Sequence, residues 1–419
     1  MTTDVRPFRA IRFDPTRSGP VGPLLAPPYD VASAPATTAR YSIAGIENVD
    51  LGVPGDQHAV AAERYAAWRR VGILHQDPAP AIYLHEHRFP TADGVATRQA
   101  FFARVRLVDW EDGGVQPHER TMPGPRQERG ARLRTTEANL SPLYFLFRDP
   151  NGDVRDLMSS TLASTDTPAE QDQVGGEHRL IPVTDPAFHQ VLQQFLAPRA
   201  LFVADGHHRY EAALAYRNEQ RQIYGCDPEA PWEFVLVLLA AAEDPGVIVR
   251  PTHRLLLGDG LALGELIDQL RRWFAVTPIQ REAPVGADES FIARVVLGED
   301  AGVWDIRVRE DRPHLDLLPA DRGPAWRALP VAAVEAVLEH AFGPGGEGNG
   351  ARIRYTIDAR DAMTQVVDGH ARAAFLLPPP RLAQILAVGA EGDLLPPKST
   401  WFEPKAPAGL VINDLRGDT

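Results

Sequence analysis

The chain holds a single cysteine, Cys226, among its 419 residues. One thiol can form no internal disulfide and no cysteine-based metal site, which excludes the small stapled domains and the cysteine zinc folds. A reducing compartment suits such a sequence. Long apolar runs are missing as well: no stretch approaches the ~20 residues that a bilayer span requires. The opening Met1-Thr2-Thr3-Asp4-Val5-Arg6-Pro7 also lacks the apolar core of a secretory signal. The expectation is a cytoplasmic protein with no membrane partner. Positive charge is in short supply, with 43 Lys and Arg against 56 Asp and Glu and a formal net charge of -13. Such a field is poor for neutralising a phosphate backbone, and no helix-turn-helix segment is recognisable. Nucleic acid is disfavoured as a partner.

What is present is ordinary globular composition, 44% hydrophobic and 24% charged, over a length that suits two or three domains. The N-terminal stretch is rich in proline, and Ala26-Pro27-Pro28-Tyr29-Asp30-Val31 reads as extended because each proline biases its predecessor away from helix. Helical spacing of Val60, Arg64, Ala67 and Val71 predicts a helix over 57–72. Strands are predicted over 81–85 and 100–107, joined as a hairpin through Thr91-Ala92-Asp93-Gly94. The apolar runs Leu143–Phe147 and Phe234–Leu239 read as buried strands, the second apolar on both faces as in the centre of a covered sheet. A surface loop is expected near 160–177, helices over 186–196, 209–220, 262–274 and 330–341, and strands over 200–204, 293–297, 302–308, 353–357 and 373–377. Gly343-Pro344-Gly345-Gly346-Glu347-Gly348 reads as a surface loop. Fold class is α/β, of α+β type. Three regions are expected: an N-terminal α+β region over 1–110, a core over 111–255 and a C-terminal α+β domain over 256–419.

The chemistry concentrates where the strand over 200–204 meets the following helix. Asp205 stands in a position to cap that helix, Gly206 allows close backbone approach, and the next N–H groups lie at the positive end of a helix dipole, where anions bind readily. Arg209 adds a fork of donors shaped for phosphate oxygens, and His207 and His208 add groups that exchange protons near neutral pH. His118 and Glu119 sit in a stretch dense in arginine, where Glu119 reads equally as a solvated charge or as a chemical group. Lys398, Ser399, Thr400 and Lys405 occupy a proline-stiffened segment suited to closing on a phosphate, or merely to anchoring the chain end. His253 and Arg254 follow Pro251 at a strand end, in reach of a ligand. His85, Glu86 and His87 resemble a metal cluster only superficially, because alternate strand residues face opposite sides, and no metal is expected there.

The run Phe202-Val203-Ala204-Asp205-Gly206-His207-His208-Arg209-Tyr210-Glu211-Ala212-Ala213-Leu214 resembles the signature of the domain of unknown function 1015 family, whose members resemble the ParB and sulfiredoxin superfamily. Ala26–Val31, Pro117-His118-Glu119-Arg120-Thr121, Pro251-Thr252-His253-Arg254 and Pro397-Lys398-Ser399-Thr400 with Phe402 and Pro404-Lys405 are similar to further landmarks, so the resemblance spans nearly the whole chain. It implies a ParB/sulfiredoxin-like mixed-sheet core that binds nucleotide phosphates at a Gly-x-x-Arg turn. Three activities accompany that core: CTP binding with hydrolysis, ATP-driven sulfinic acid reduction, and phosphorylation of free serine. The reduction needs a cysteine in the turn, which this sequence lacks. The serine kinases carry an Asp-Gly-His-x-Arg turn and an upstream Glu, matched here by Asp205-Gly206-His207-His208-Arg209 and Glu119. The resemblance therefore implies Asp205, Glu119 and His207 as catalytic. Gly206, His208, Arg209, Lys398, Ser399, Thr400 and Lys405 would hold phosphate, and Tyr29, Asp30, His118, His253 and Arg254 substrate. Mg²⁺ would be held by Asp205 and Glu119, and the donor would be a nucleotide or pyrophosphate. The expected activity is phosphorylation of a small hydroxyl metabolite such as serine; the alternative is a nucleotide-binding regulatory module without turnover.

Overall fold

The computed structural model describes residues 2–19, 41–47, 56–91, 94–119, 123–172, 174–258, 263–280, 288–298, 302–343 and 352–417. The motif containing Tyr29 and Asp30, the pair Arg120 and Thr121, the turn residues Ala92 and Asp93, and all but the first residue of the glycine-rich break lie outside them. Two compact units result. The larger comprises Met1–Pro117, Thr121–Ile248 and Glu403–Thr419, the smaller His118–Arg120 and Val249–Phe402.

In the larger unit nine strands form one sheet: β1 (Val5–Arg6), β2 (Ile82–Thr91), β3 (Gly94–Arg106), β4 (Val115–Gln116), β5 (Leu143–Phe147), β6 (Glu170–Gln171), β7 (Glu177–Val183), β8 (Leu201–Asp205) and β9 (Phe234–Ala241). Their order is β4-β8-β5-β9-β3-β2-β7-β6, with β1 beside β3. β4 runs parallel to β8 and β5 parallel to β9, while the other pairs are antiparallel, so the sheet is mixed and the architecture α+β. The expected hairpin is β2–β3, paired from Tyr83–Phe102 to Thr91–Gly94. Strands from both the 1–110 and the 111–255 regions share this sheet.

Five helices of this unit matter below: α1 (Gln57–Arg70), α2 (Pro123–Thr136), α3 (Asp153–Ala163), α4 (Pro186–Leu196) and α5 (His207–Tyr224). Every residue of β5 and of β9 is buried. Strand alternation sends Leu143, Phe145, Val237 and Leu239 to one face, where they pack against Met158 of α3, Leu192 of α4, and Tyr210 and Leu214 of α5. Burial of each such side chain contributes about 1.5–3 kcal/mol. The same alternation turns Tyr83, His85, His87, Arg98 and Tyr144 to the opposite face, and these too are buried. α2 stands where apolar periodicity marks no helix. Its sequence, PGPRQERGARLRTT, is polar and arginine-rich, so it is held by packing rather than by a broad apolar stripe, with Leu133 reaching the core. Within the expected loop near 160–177 the chain is partly ordered, as the end of α3 and as β6.

A second cluster, including Ile11, Ile43, Tyr65, Leu140 and Ile412, draws the C-terminal segment onto this unit. Ile11 and Ile412 exchange backbone hydrogen bonds of 2.9 Å. Asn413 pairs with Asn139, whose side-chain oxygen accepts from Leu236 N and Asn413 Nδ2. That return path fixes where Lys405 lies.

The smaller unit is a six-stranded antiparallel sheet of β10 (His253–Leu257), β11 (Ala275–Ile279), β12 (Phe291–Leu297), β13 (Val303–Arg307), β14 (Arg352–Thr356) and β15 (Ala373–Leu376), in the order β11-β13-β12-β15-β10-β14. It is accompanied by α6 (Leu263–Trp273), α7 (Pro330–Phe342), α8 (Ala359–Val367) and α9 (Leu382–Ala390). Arg294 and Asp305 face each other across β12 and β13 as a buried ion pair of 2.9 Å. No helix among the described residues is long and apolar enough to cross a membrane.

Candidate functional site

The Asp205 turn is made by a bulge. Pairing of β8 with β5 shifts register between Val203 and Asp205, setting Asp205 opposite Tyr144. A bulge re-aims a side chain, and here it takes Asp205 out of the alternation that buries Val203 among the helices. The helix cap falls one residue later than the sequence suggests: Gly206 occupies the N-cap of α5 with φ 102° and ψ 24°, a left-handed conformation that glycine adopts without strain. By helix geometry the first N–H groups of α5 lack partners within the helix, so this end favours negative charge. Tyr210 pins the start of α5, its hydroxyl donating to Val108 O at 2.7 Å and accepting from Val108 N at 3.1 Å. Burial pushes that phenol well above its usual range.

The carboxylate of Asp205 lies between two cations. Oδ1 accepts from Lys405 Nζ at 2.6 Å and Oδ2 from Arg209 Nη2 at 2.7 Å, with all three side chains no more than 15% exposed. Arg209 also donates through Nη1 to Pro142 O at 2.6 Å, so its guanidinium folds back over Gly206 and ties the turn to the entry of β5. Lys405 is one of only two lysines in the chain, the other being Lys398, while every other basic position is arginine. A compact ammonium at this spot is therefore a departure from the chain's usage. His207 is buried and His208 half-buried at the same turn.

Behind the turn lies a cleft of about 50 Å³ lined by Arg129, Arg132 and Arg209, together with Glu47, Asn139 and Ser141. That is several times the ~10–15 Å³ needed by one water. Arg132 donates Nη2 to Glu128 at 2.8 Å, but its buried Nε and Nη1 have no partner among the described residues. Buried donors are normally satisfied, so unsatisfied guanidinium nitrogens in a cleft mark a place for an acceptor. Arg129 and Arg132 escape a reading of the sequence because their stretch looks like a solvated surface; spacing on α2, three residues apart, is the signal that puts them on one face.

In the smaller unit two landmarks distant in sequence meet. Glu119 Oε1 accepts from Ser399 N and Thr400 Oγ1, both at 3.3 Å, and His118 Nε2 lies 2.8 Å from Thr400 Oγ1. Leu395 N donates to His118 O at 2.8 Å and holds the two strands of chain together. Lys398 is exposed, in a left-handed conformation with φ 55°. His253 and Arg254 have structural partners instead of an open setting. His253 Nδ1 accepts from Leu377 N at 3.1 Å, and burial, with Arg254 adding to it, pushes the imidazole down to about 4. Arg254 donates to Glu335 at 2.8 Å and reaches the carbonyls of Thr252 and Pro397, the second of which leads into Lys398–Thr400. Asp205, Gly206, His207, His208, Arg209 and Lys405 thus gather in the larger unit, and His118, Glu119, Lys398, Ser399, Thr400, His253 and Arg254 belong to the smaller.

One cluster contradicts the sequence reading. His85 and Glu86 do face opposite sides, but His85 and His87 share a face, and His178 of β7 stands opposite His87. His87, His178 and Asp172 bring one ligand atom each within 4.8 Å of one another. The two-residue spacing of the histidines was the available signal.

A model of the family described as "Protein of unknown function (DUF1015)" matches residues 5–332. No curated protein matches the sequence. Among solved structures, a conserved hypothetical protein from Pyrococcus furiosus is 13% identical with a TM-score of 0.36, covering 74% of this chain and 93% of its own. A free serine kinase in complex with AMP is 13% identical with a TM-score of 0.37, covering 74% and 89%. SbnI with a C-terminal truncation, from Staphylococcus aureus, is 13% identical with a TM-score of 0.39, covering 76% and 90%. These likenesses are distant, and what the chain does is read from its own residues.

Proposed function

The chain belongs to the DUF1015 family, and we propose that it is a phosphotransferase that phosphorylates a small hydroxyl metabolite from a nucleotide or pyrophosphate donor. The observation that carries this reading is that Arg209, anchored on Asp205, also lines the cleft in which Arg132 has buried donors without partners among the described residues. Donor phosphates would take up those nitrogens and the start of α5, while Lys405 Nζ would neutralise the transferred group. Phosphoryl transfer asks for positioning and charge more than for covalent chemistry, and this turn supplies both. Asp205 holds Lys405 and Arg209 in place; when Lys405 turns to the phosphoryl oxygens, the Oδ1 it leaves becomes available to the acceptor's proton, a role for which Glu119 is the second candidate. His207 is assigned with Asp205 as a proton-exchanging neighbour at the same turn.

A resident Mg²⁺ does not fit Asp205, because each of its oxygens already meets a cation. Magnesium that accompanies a nucleotide is then part of the donor complex, and no step is routed through a metal at Asp205. The same pairing favours a second reading, a nucleotide-binding regulator without turnover, since a carboxylate compensated twice is a weak proton acceptor. Incubating the purified chain with a panel of hydroxy-metabolites, free serine included, and with ATP, ADP, CTP or pyrophosphate decides between them by mass spectrometry. A phosphorylated product supports the kinase. Donor binding with no product from any pair refutes it in favour of the regulator.

A further inference from the structure

One buried cluster of the larger unit has no part in that reaction. On the sheet face away from α3, α4 and α5, β2 carries His85 and His87, and β7 carries His178 directly opposite His87. The rings of His87 and His178 stack with centroids 4.0 Å apart. Just before β7 the chain turns so that Asp172 Oδ1 accepts from Val174 N at 2.8 Å and from Gly176 N at 2.7 Å. Its other oxygen, Oδ2, lies 3.0 Å from His178 Nε2 and 3.7 Å from His87 Nε2. All three side chains are fully shielded from solvent. Among the described residues neither nitrogen of His87 has a hydrogen-bond partner. A fully buried imidazole beside a carboxylate and a second imidazole, with neither nitrogen hydrogen-bonded among the described residues, leaves a lone pair in want of a partner.

We propose that His87 Nε2, Asp172 Oδ2 and His178 Nε2 bind one divalent transition-metal ion of the zinc class. Tetrahedral zinc bonds of ~2.0–2.2 Å set neighbouring ligand atoms roughly 3.3–3.6 Å apart, and the separations here, 3.0 and 3.7 Å, bracket that range. Two imidazole nitrogens select zinc, cobalt or iron over magnesium and calcium, which take oxygen. Gly176 closes over the group: a Cβ there would stand 2.2 Å from Asp172 Oδ2 and 2.8 Å from His87 Nε2, so only glycine leaves the ligands their room. With the ion on Nε2, the single proton of neutral His178 must sit on Nδ1, so binding shifts it there from Nε2 by exchange with water, with none lost overall. The Nδ1–H then donates to His85 Nε2, 2.9 Å away, the outer contact that orients a metal-bound imidazole. Such an ion clips Asp172 to β2 and β7. Four strand spacings separate β2 from β8, so about 19 Å of sheet lies between the site and the Asp205 turn, with Arg98, which faces His87 across the strands and donates to Pro404 O, on β3 between them.

The test strips the full chain with a chelator and titrates it with Zn²⁺ alone and with Co²⁺ alone, following heat, visible absorption and melting temperature. One ion per chain, a ligand-field Co²⁺ spectrum and a raised melting temperature are expected. Asp172→Asn keeps the acceptor toward Val174 and Gly176, and should weaken the affinity by at least about tenfold; His87→Phe should abolish binding. Should a variant fail to fold, the wild-type Co²⁺ form decides: paramagnetic shifts on the His87 and His178 ring protons support the site, and shifts confined to other histidines overturn it. A folded, stripped wild type that takes up neither ion, or variants that bind as tightly as the parent, would equally overturn it.

Discussion

Replacing Asp205 by Asn separates charge from shape at the centre of the proposed reaction. The parent triad of Lys405, Asp205 and Arg209 carries one net positive charge; the variant carries two. A phosphate about 6 Å from the lost carboxylate gains roughly 1.5–3 kcal/mol at an effective dielectric of ~20–40, or roughly ten- to hundredfold in affinity. Donor binding should therefore tighten. Turnover should move the other way, falling by ~10²–10⁴-fold, because the amide cannot take a proton and no longer holds two cations in fixed places. Stability should fall as well. Two charge-assisted bonds, at 2.6 and 2.7 Å, each contribute about 1.5–3 kcal/mol. Asn keeps one acceptor and turns an N–H toward the other cation, so a net loss of about 2–4 kcal/mol is expected. For a unit of this size that is roughly 5–10 °C in melting temperature.

Three measurements on one variant then give one rise and two falls. Calorimetric titration with donor should show tighter binding, mass spectrometry of the acceptor should show lost product, and melting should show a moderate loss. Product formed at the parent rate would refute the mechanism at its centre and leave the regulator reading in its place. Weakened donor binding together with a large drop in melting temperature would mean that Asp205 chiefly holds the turn together.

Glu119→Gln keeps the oxygen that accepts from Ser399 N and Thr400 Oγ1, so the fold should survive; if Glu119 is the second proton acceptor, turnover falls by about 100-fold while melting is unchanged, and unchanged turnover would reduce it to an anchor. Gly206→Ala forces a side chain into a left-handed position with its Cβ 3.1 Å from the Arg209 guanidinium, and should cost about 1–2 kcal/mol by denaturant unfolding; a neutral result would show that the turn relaxes freely. His253 is held down to about 4 in the folded chain against ~6.5 when unfolded. The unfolded chain therefore binds the proton first. Stability contributed by the neutral imidazole is complete above pH ~6.5 and is lost as pH falls toward 4, to a total of about 3 kcal/mol. His253→Asn, which can still accept from Leu377 N, should flatten that part of the profile, and an unaltered slope would place its origin elsewhere.

How far the sequence announces all this depends on the range of the interaction. Leu143–Phe147 and Phe234–Ala241 announce themselves because a strand covered on both faces has apolar side chains in both directions, a property written in consecutive residues. The Asp205 turn is legible for the same reason, since strand end, glycine and helix start are adjacent. α2 is not, because its polar sequence becomes helical through the surface it meets. Nor is the partnership of Asp205 with Lys405, two hundred residues apart, which depends on Ile412 and Asn413 docking on Ile11 and Asn139. The cap prediction went astray by one residue at a bulge, and a bulge is set by cross-strand register rather than by local pattern.

The scarcity of lysine, visible in composition from the start, gains meaning only with the coordinates. Arginine is used wherever this chain needs a planar fork: across β12 and β13 to Asp305, on α5 to Asp205 and Pro142, on β10 to Glu335. At Asp205 Oδ1 it uses an ammonium instead, 2.6 Å away and only 11% exposed. A guanidinium there would be fixed by the carboxylate in a bidentate hold and would resist leaving it. An ammonium has three rotatable donors and can turn from the carboxylate to an incoming phosphoryl oxygen without leaving its place. On this view Lys405→Arg, which preserves charge, should retain donor binding yet lose at least about tenfold in turnover, a discrimination read by comparing calorimetric affinity with product yield under saturating donor. If the arginine variant turns over as fast as the parent, charge alone is what position 405 supplies, and the exchange of partners proposed for the lysine is wrong.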